Sequence, residues 1–83
     1  MRVRVRYFAG AREAMGRAEE MRELPAGATV GALLARLRDE EPRFARLSPD
    51  MMVSVNFEYR APDHPLAEGD EVAVIPPVSG GAR

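Results

Sequence analysis

The chain has 83 residues, 46% of them hydrophobic, and a net charge of −1. That length supports one domain with one core, the hydrophobic fraction is that of a globular protein rather than a disordered one, and the near-neutral charge gives no global field to attract nucleic acid or an anionic membrane. There is no cysteine, which excludes a disulfide framework, a thiolate metal site and a cysteine nucleophile, and all twelve basic residues are arginine, so no side-chain amine can accept an acyl group or form a Schiff base. No apolar run reaches the length of a membrane helix and no signal-peptide core follows the basic start, so a cytoplasmic protein without a membrane partner is expected.

Arg2 to Phe8 alternates, with Val3, Val5 and Tyr7 on one face and Arg2, Arg4, Arg6 and Phe8 on the other. Period two marks a half-buried strand with its valines inward. The arginines read as a solvated face rather than a phosphate stripe, given the neutral chain and few aromatics, and no nucleic-acid partner is expected. Phe8 is the one large apolar residue on that polar side. Ala9 to Gly16 reads as a loop or a single helical turn, Ala18 to Leu24 as a second strand, and Pro25-Ala26-Gly27 as a turn.

Thr29 has the position of a helix N-cap, followed by Val30, Leu33, Leu34 and Leu37 at helical spacing, with Arg36, Arg38, Asp39 and Glu40 facing away. Gly31 inside this helix implies close packing or an early turn. Pro42 is expected to end the helix, with Phe44 and Leu47 anchoring the connection and Ser48-Pro49-Asp50 turning it. Met51-Met52 reads as adaptable packing. Met52 to Tyr59 reads as a strand with Val53, Val55 and Phe57 on the buried side, and Asn56 and Glu58 as residues that shape the turn. Ala61 to Gly69 is a polar loop. Its His64 lacks partners at zinc-ligand spacing, so it is assigned to loop structure and no metal site is expected. Val72, Val74 and Ile75 complete the final strand.

The chain then enters Pro76-Pro77, which cannot donate to a ladder and bias the backbone to an extended exit. Val78-Ser79-Gly80-Gly81 follows, and two residues without a Cβ make a thin tip. A stiff exit and a thin tip suit a tail presented to another protein's active site. The expected organisation is one domain over residues 1–78 and a flexible tail over 79–83. Strands on either side of one amphipathic helix imply an α+β fold, a mixed sheet of four to five strands packed on one main helix. Crossover rules allow the first and last strands to lie side by side in parallel.

Several segments together resemble the small-subunit family of molybdopterin synthase, ubiquitin-like sulfur carriers of β-grasp fold. They are Val5-Arg6-Tyr7-Phe8-Ala9 with Arg12-Glu13, Thr29-Val30 with Leu33, Leu34 and Leu37, and Val55-Asn56 with Glu58. More specific are Asp63-His64-Pro65-Leu66, Glu68-Gly69-Asp70-Glu71-Val72 and Ile75-Pro76-Pro77-Val78-Ser79-Gly80-Gly81. The resemblance implies that a ubiquitin-activating-type adenylating enzyme activates the Gly81 carboxylate with ATP and that sulfur then replaces AMP to give a thiocarboxylate. It also implies that the tail enters the large synthase subunit, where sulfur passes to a pyranopterin precursor in molybdenum cofactor biosynthesis. The chain would be non-catalytic on its own and would bind no cofactor itself, ATP being used by the adenylating enzyme. It has no Gly-rich phosphate loop and no nucleophile–base pair, which agrees with that division of labour.

The resemblance places the partner surface on the sheet near the tail, so Phe8, Ile75, Pro76 and Pro77 are the expected contacts and Val78, Ser79, Gly80 and Gly81 the inserted segment. One departure stands out. Ala82-Arg83 follows Gly81 and ties its carboxyl into a peptide bond. Protease trimming, residues foreign to the natural chain and a relative that no longer carries sulfur all remain open. Rival readings are a carrier for thiamine or tRNA thiolation and a ubiquitin-like modifier or interaction module.

Overall fold

A computed structural model describes residues 1–77. The domain boundary expected after residue 78 and the tail, with Val78, Ser79, Gly80 and Gly81, lie outside the described residues. The elements in chain order are β1 (Arg2–Tyr7), α1 (Ala9–Met15), β2 (Glu19–Glu23), α2 (Val30–Glu40), α3 (Pro42–Ala45), β3 (Met52–Val55), β4 (Glu58–Tyr59) and β5 (Glu71–Ile75). The strands form one sheet in the order β2-β1-β5-β3-β4. β1 and β5 are parallel, with Val5 opposite Val72 and Tyr7 opposite Val74, and every other pairing is antiparallel.

Alternation decides which side of the sheet is buried. Val3, Val5, Tyr7, Val53, Val55, Val72 and Val74 project to one face, and α2 covers it with Val30, Leu33, Leu34 and Leu37. All are buried, as the period-two and helical spacings require. Thr29 caps α2 by accepting from the Ala32 N–H at 3.1 Å. The 61–66 loop satisfies further N–H groups of that helix end: Val30 donates to the His64 carbonyl at 3.0 Å and Gly31 to the Pro62 carbonyl at 2.8 Å. A Cβ on Gly31 would stand 3.2 Å from that Pro62 oxygen, which gives the glycine its packing role. His64 thus serves through its backbone, as part of the loop that closes over α2.

Three expectations are corrected. Ala9–Met15 is a helix of seven residues rather than a loop or single turn. Ala11, Ala14 and Met15 bury one side of it, and Gly16, at φ 75°, closes it by donating to the Arg12 carbonyl. α2 ends at Glu40, before Pro42 as expected, but the connection that follows is itself a short helix, α3, whose first turn the Glu41 side chain caps through the Arg43 N–H at 3.2 Å. The segment from Met52 to Tyr59 is not one strand. Asn56 and Phe57 have φ values of 51° and 72°, forming a two-residue hairpin loop between β3 and β4. The turn throws Phe57 out of the core, 82% exposed.

At the β2 edge a polar chain replaces apolar packing. Tyr7 is buried, and its hydroxyl donates to the Glu20 carboxylate. Arg22 donates to Glu20 at 3.0 Å and to Glu40 at 2.7 Å, so β2 is tied to α2. Arg17 adds a further contact to Glu20 at 2.8 Å. Burial, reinforced by the neighbouring carboxylate, pushes the Tyr7 phenol well above the usual tyrosine range. Burial alone would raise the Glu20 carboxyl, but the hydrogen bonds from Tyr7 and Arg22 outweigh it and hold the group below its ordinary value.

Candidate functional site

Among the described residues, nothing forms a covering layer on the face of the sheet opposite α2. Along β1 it carries Arg2, Arg4 and Arg6, each opposite a β2 residue: Glu23, Met21 and Glu19. Arg6 approaches Glu71 at 3.3 Å and Glu19 at 3.9 Å, so its charge is met within the domain. Toward the other edge the same face turns apolar. Ala73 and Ile75 of β5 stand opposite Ser54 and Met52 of β3, and Ser54 in turn pairs with Tyr59 of β4. Met52 is 49% exposed and Tyr59 65% exposed.

Of the four expected partner-contact residues, Phe8 and Ile75 lie at one end of this face, and Pro76 and Pro77 follow them on the side of α1 and α3. Phe8 lies one step beyond the Tyr7–Val74 pair, and its N–H donates to the Val74 carbonyl at 3.2 Å. That places it beside Ile75, the last residue of β5, and both are half-buried. The Arg6 guanidinium sits 5.5 Å from the centre of the Phe8 ring and screens part of it from water. Pro76 is buried and Pro77, the last described residue, is exposed. The two prolines form one wall of a groove of about 490 Å³, with Ala9, Gly10 and Leu47 among the residues opposite. The tail residues Val78, Ser79, Gly80 and Gly81 are outside the described residues, so the structure joins the contact residues to the root of the tail but not to its tip.

Met52 and Tyr59 extend the apolar surface, and Phe57 stands exposed at the adjoining turn; none of the three was among the expected contacts. Met52 has the same outward parity as Ser54, which an alternation count could have found. Phe57 and Tyr59 were masked because alternation runs unbroken through Val53, Val55, Phe57 and Tyr59 across the turn. Asn56, a residue type that tolerates positive φ, was the available signal.

Among the described residues no group of three or more His, Asp or Glu side chains is placed to hold a metal ion, and no helix is long and apolar enough to cross a membrane. What this face can do is bind: an apolar strip beside a stiff exit suits a protein surface that takes up the segment beyond Pro77.

Fold and face together define a ubiquitin-like β-grasp domain with one open, half-apolar sheet surface. The family model of the ThiS family matches residues 5–81. A molybdopterin synthase sulfur carrier subunit from Chlamydomonas reinhardtii is 40% identical over 83 residues, covering 98% of this chain and 100% of the relative. Among solved structures, a putative molybdopterin converting factor subunit 1 from Pyrococcus furiosus superposes with a TM-score of 0.84 at 35% identity, over 94% of this chain and 99% of that one. Small archaeal modifier protein 1 from Haloferax volcanii gives a TM-score of 0.82 at 30% identity, over 98% of this chain and 100% of that one. The chain belongs to the ThiS family and, within it, to the molybdopterin synthase sulfur carrier subunits, which carry sulfur and are not the catalytic subunit.

Proposed function

We propose that the chain delivers sulfur as a thiocarboxylate on Gly81, with the described domain acting as the handle. The observation that carries this reading is the continuity of the apolar strip with the tail root: β5 runs through Ile75 into Pro76 and Pro77, beside Phe8. In the proposed cycle the Gly81 carboxylate attacks the α-phosphorus of ATP on an adenylating enzyme, and pyrophosphate leaves. A sulfur nucleophile then displaces AMP from the acyl carbon. The thiocarboxylated tail enters the large synthase subunit while Phe8, Ile75 and Pro77 bury against its surface and Pro76, already buried, holds the exit in place. Function thereby resides in a backbone carboxylate and requires a chain ending at Gly81, with Ala82-Arg83 removed. The cycle runs in the cytoplasm, where ATP and both protein partners are available.

The test is intact mass after incubating the chain ending at Gly81 with an adenylating enzyme, ATP and a sulfur donor. The expected product is heavier by sulfur minus oxygen, and the 83-residue form stays unchanged. A trimmed chain that never gains sulfur sinks the carrier reading. The likeness to small archaeal modifier protein 1 supports a second reading, in which the same carboxylate is joined to amines of other proteins. An amide-linked product on a target lysine, formed without any thiocarboxylate, selects it.

A further inference from the structure

Of the large apolar residues left exposed in the described domain, three of the four are on the β3–β4 hairpin or at its base: Met52, Phe57 and Tyr59. Phe57 is the most exposed and has the most unusual backbone. A bulky residue at φ 72° occupies the region that a two-residue hairpin loop normally gives to glycine, at a cost in strain. Nothing within the domain repays that cost, since the ring is 82% exposed. The turn is nevertheless held firmly. The Asn56 side chain donates to Asp70 at 3.0 Å and accepts from the Glu71 N–H at 3.0 Å, while the Asn56 N–H donates to the Glu71 carbonyl at 2.8 Å. The hairpin is therefore pinned to the start of β5 and presents a pre-oriented aromatic ring.

Resting on the carrier reading above, we propose that Phe57 is a second anchor for the large synthase subunit, at the opposite end of the sheet face from the tail. The occupant follows from the chemistry of the strip. Met52 is opposite Ile75, and Tyr59 reaches the same face through Ser54, so an apolar band links the hairpin to the tail root. Long-lived subunit contacts are more apolar than transient ones, so the band suits a resident subunit better than a visiting enzyme. From Val72 to Ile75 the ladder extends roughly 10 Å, and Phe57 lies beyond its far end. Two attachment points that far apart fix the direction in which the tail leaves, whereas attachment at Ile75 alone would let the domain swivel about Pro76-Pro77. The receiving surface is expected to offer an apolar pocket of aromatic size.

The test compares Phe57→Gly, Phe57→Tyr and Ile75→Arg with wild type, measuring urea unfolding of the free chain and calorimetric affinity for the large synthase subunit from the same organism. Phe57→Gly is expected to leave the unfolding midpoint unchanged or raised, because glycine relieves the positive-φ strain, and to weaken the complex roughly tenfold or more. Phe57→Tyr is expected to keep the affinity. Wild-type affinity in Phe57→Gly, with Ile75→Arg impaired, overturns the second anchor and leaves the carrier reading intact. Loss of binding only to the adenylating enzyme, or a dimer of the free chain that Phe57→Gly abolishes, assigns the ring to another occupant and overturns the proposal. A lowered unfolding midpoint in Phe57→Gly makes the ring structural and does the same. No complex with wild type sinks both readings.

Discussion

The two ends of the sheet treat their exposed groups in opposite ways. At the β2 edge, polar groups find partners within the domain: Tyr7, Glu20, Arg22 and Glu40 form one connected chain, and Arg6 is met by Glu19 and Glu71. At the β4 edge, Met52, Phe57 and Tyr59 remain exposed, and the strand that carries Tyr59 is only two residues long. Among the described residues, the β2 edge leaves a single large apolar side chain exposed, Met21 opposite Arg4. The other edge leaves several large apolar side chains uncovered among the described residues, and Met52 adjoins Ile75 at the root of the tail. The lesson is that a small domain can keep stability and recognition apart, so that each can be altered without the other.

Both ends rest on the same core, so the largest effect is expected there. Leu37 is fully buried under the sheet, and Leu37→Ala is expected to cost about 2–5 kcal/mol in urea unfolding. A shift near zero would detach α2 from both ends and dissolve the comparison. Next comes the apolar end. Ile75→Arg is expected to weaken the complex with the large subunit by about 2 kcal/mol or more, because an unpaired charge would be buried in an apolar contact. Folding should change much less, since Ile75 is only half-buried. Arg4→Ala, on the charged half, should alter affinity by less than about 0.5 kcal/mol. Equal losses from both variants, read by calorimetry, would erase the distinction between the two halves.

The smaller effect on stability belongs to the polar end. Tyr7→Phe is expected to cost about 1 kcal/mol of stability and leave partner affinity alone. Its pH dependence sharpens the comparison. Glu20 has a folded pKa below its unfolded value, so its contribution is fully present above the unfolded pKa and fades as pH falls through the folded one. Tyr7 is shifted upward, so its contribution is present below the ordinary tyrosine pKa and is lost only as pH rises beyond it. Glu20→Gln should therefore flatten the acid limb of a stability–pH curve, and an unchanged limb would show that the polar chain does not hold this edge.

The legible parts of the molecule were those where one periodicity governs one element. Val3, Val5, Val72 and Val74 announce two half-buried strands, and Thr29 with Leu33 and Leu37 announces the helix over them. Phe8 was singled out because it breaks an otherwise polar outward row, whereas Ile75 was named from the resemblance, and the structure sets the two side by side. What was not legible depends on turns and on contacts far apart in the chain. The Asn56-Phe57 loop lacks the glycine that marks such hairpins, so the alternation carried Phe57 into the core on paper and out of it in space. The α1 helix was hidden by its alanines, which bury without a strong hydrophobic signature. No local pattern joins Tyr7 to Glu20 or Arg22 to Glu40, which come together only once β2 lies beside β1 and under α2.

The central place of β5 also has a mechanical consequence. Its hydrogen bonds run to parallel β1 on one side and to antiparallel β3 on the other, and it leads straight into Pro76. Tension applied through the chain beyond Pro77 would load both ladders lengthwise, in shear, with all rungs sharing the force. An edge strand pulled outward would instead peel open one rung at a time. A pull along the tail therefore meets the ladder geometry that resists best, and anything gripping that segment would strain the fold less than the same pull on an edge strand.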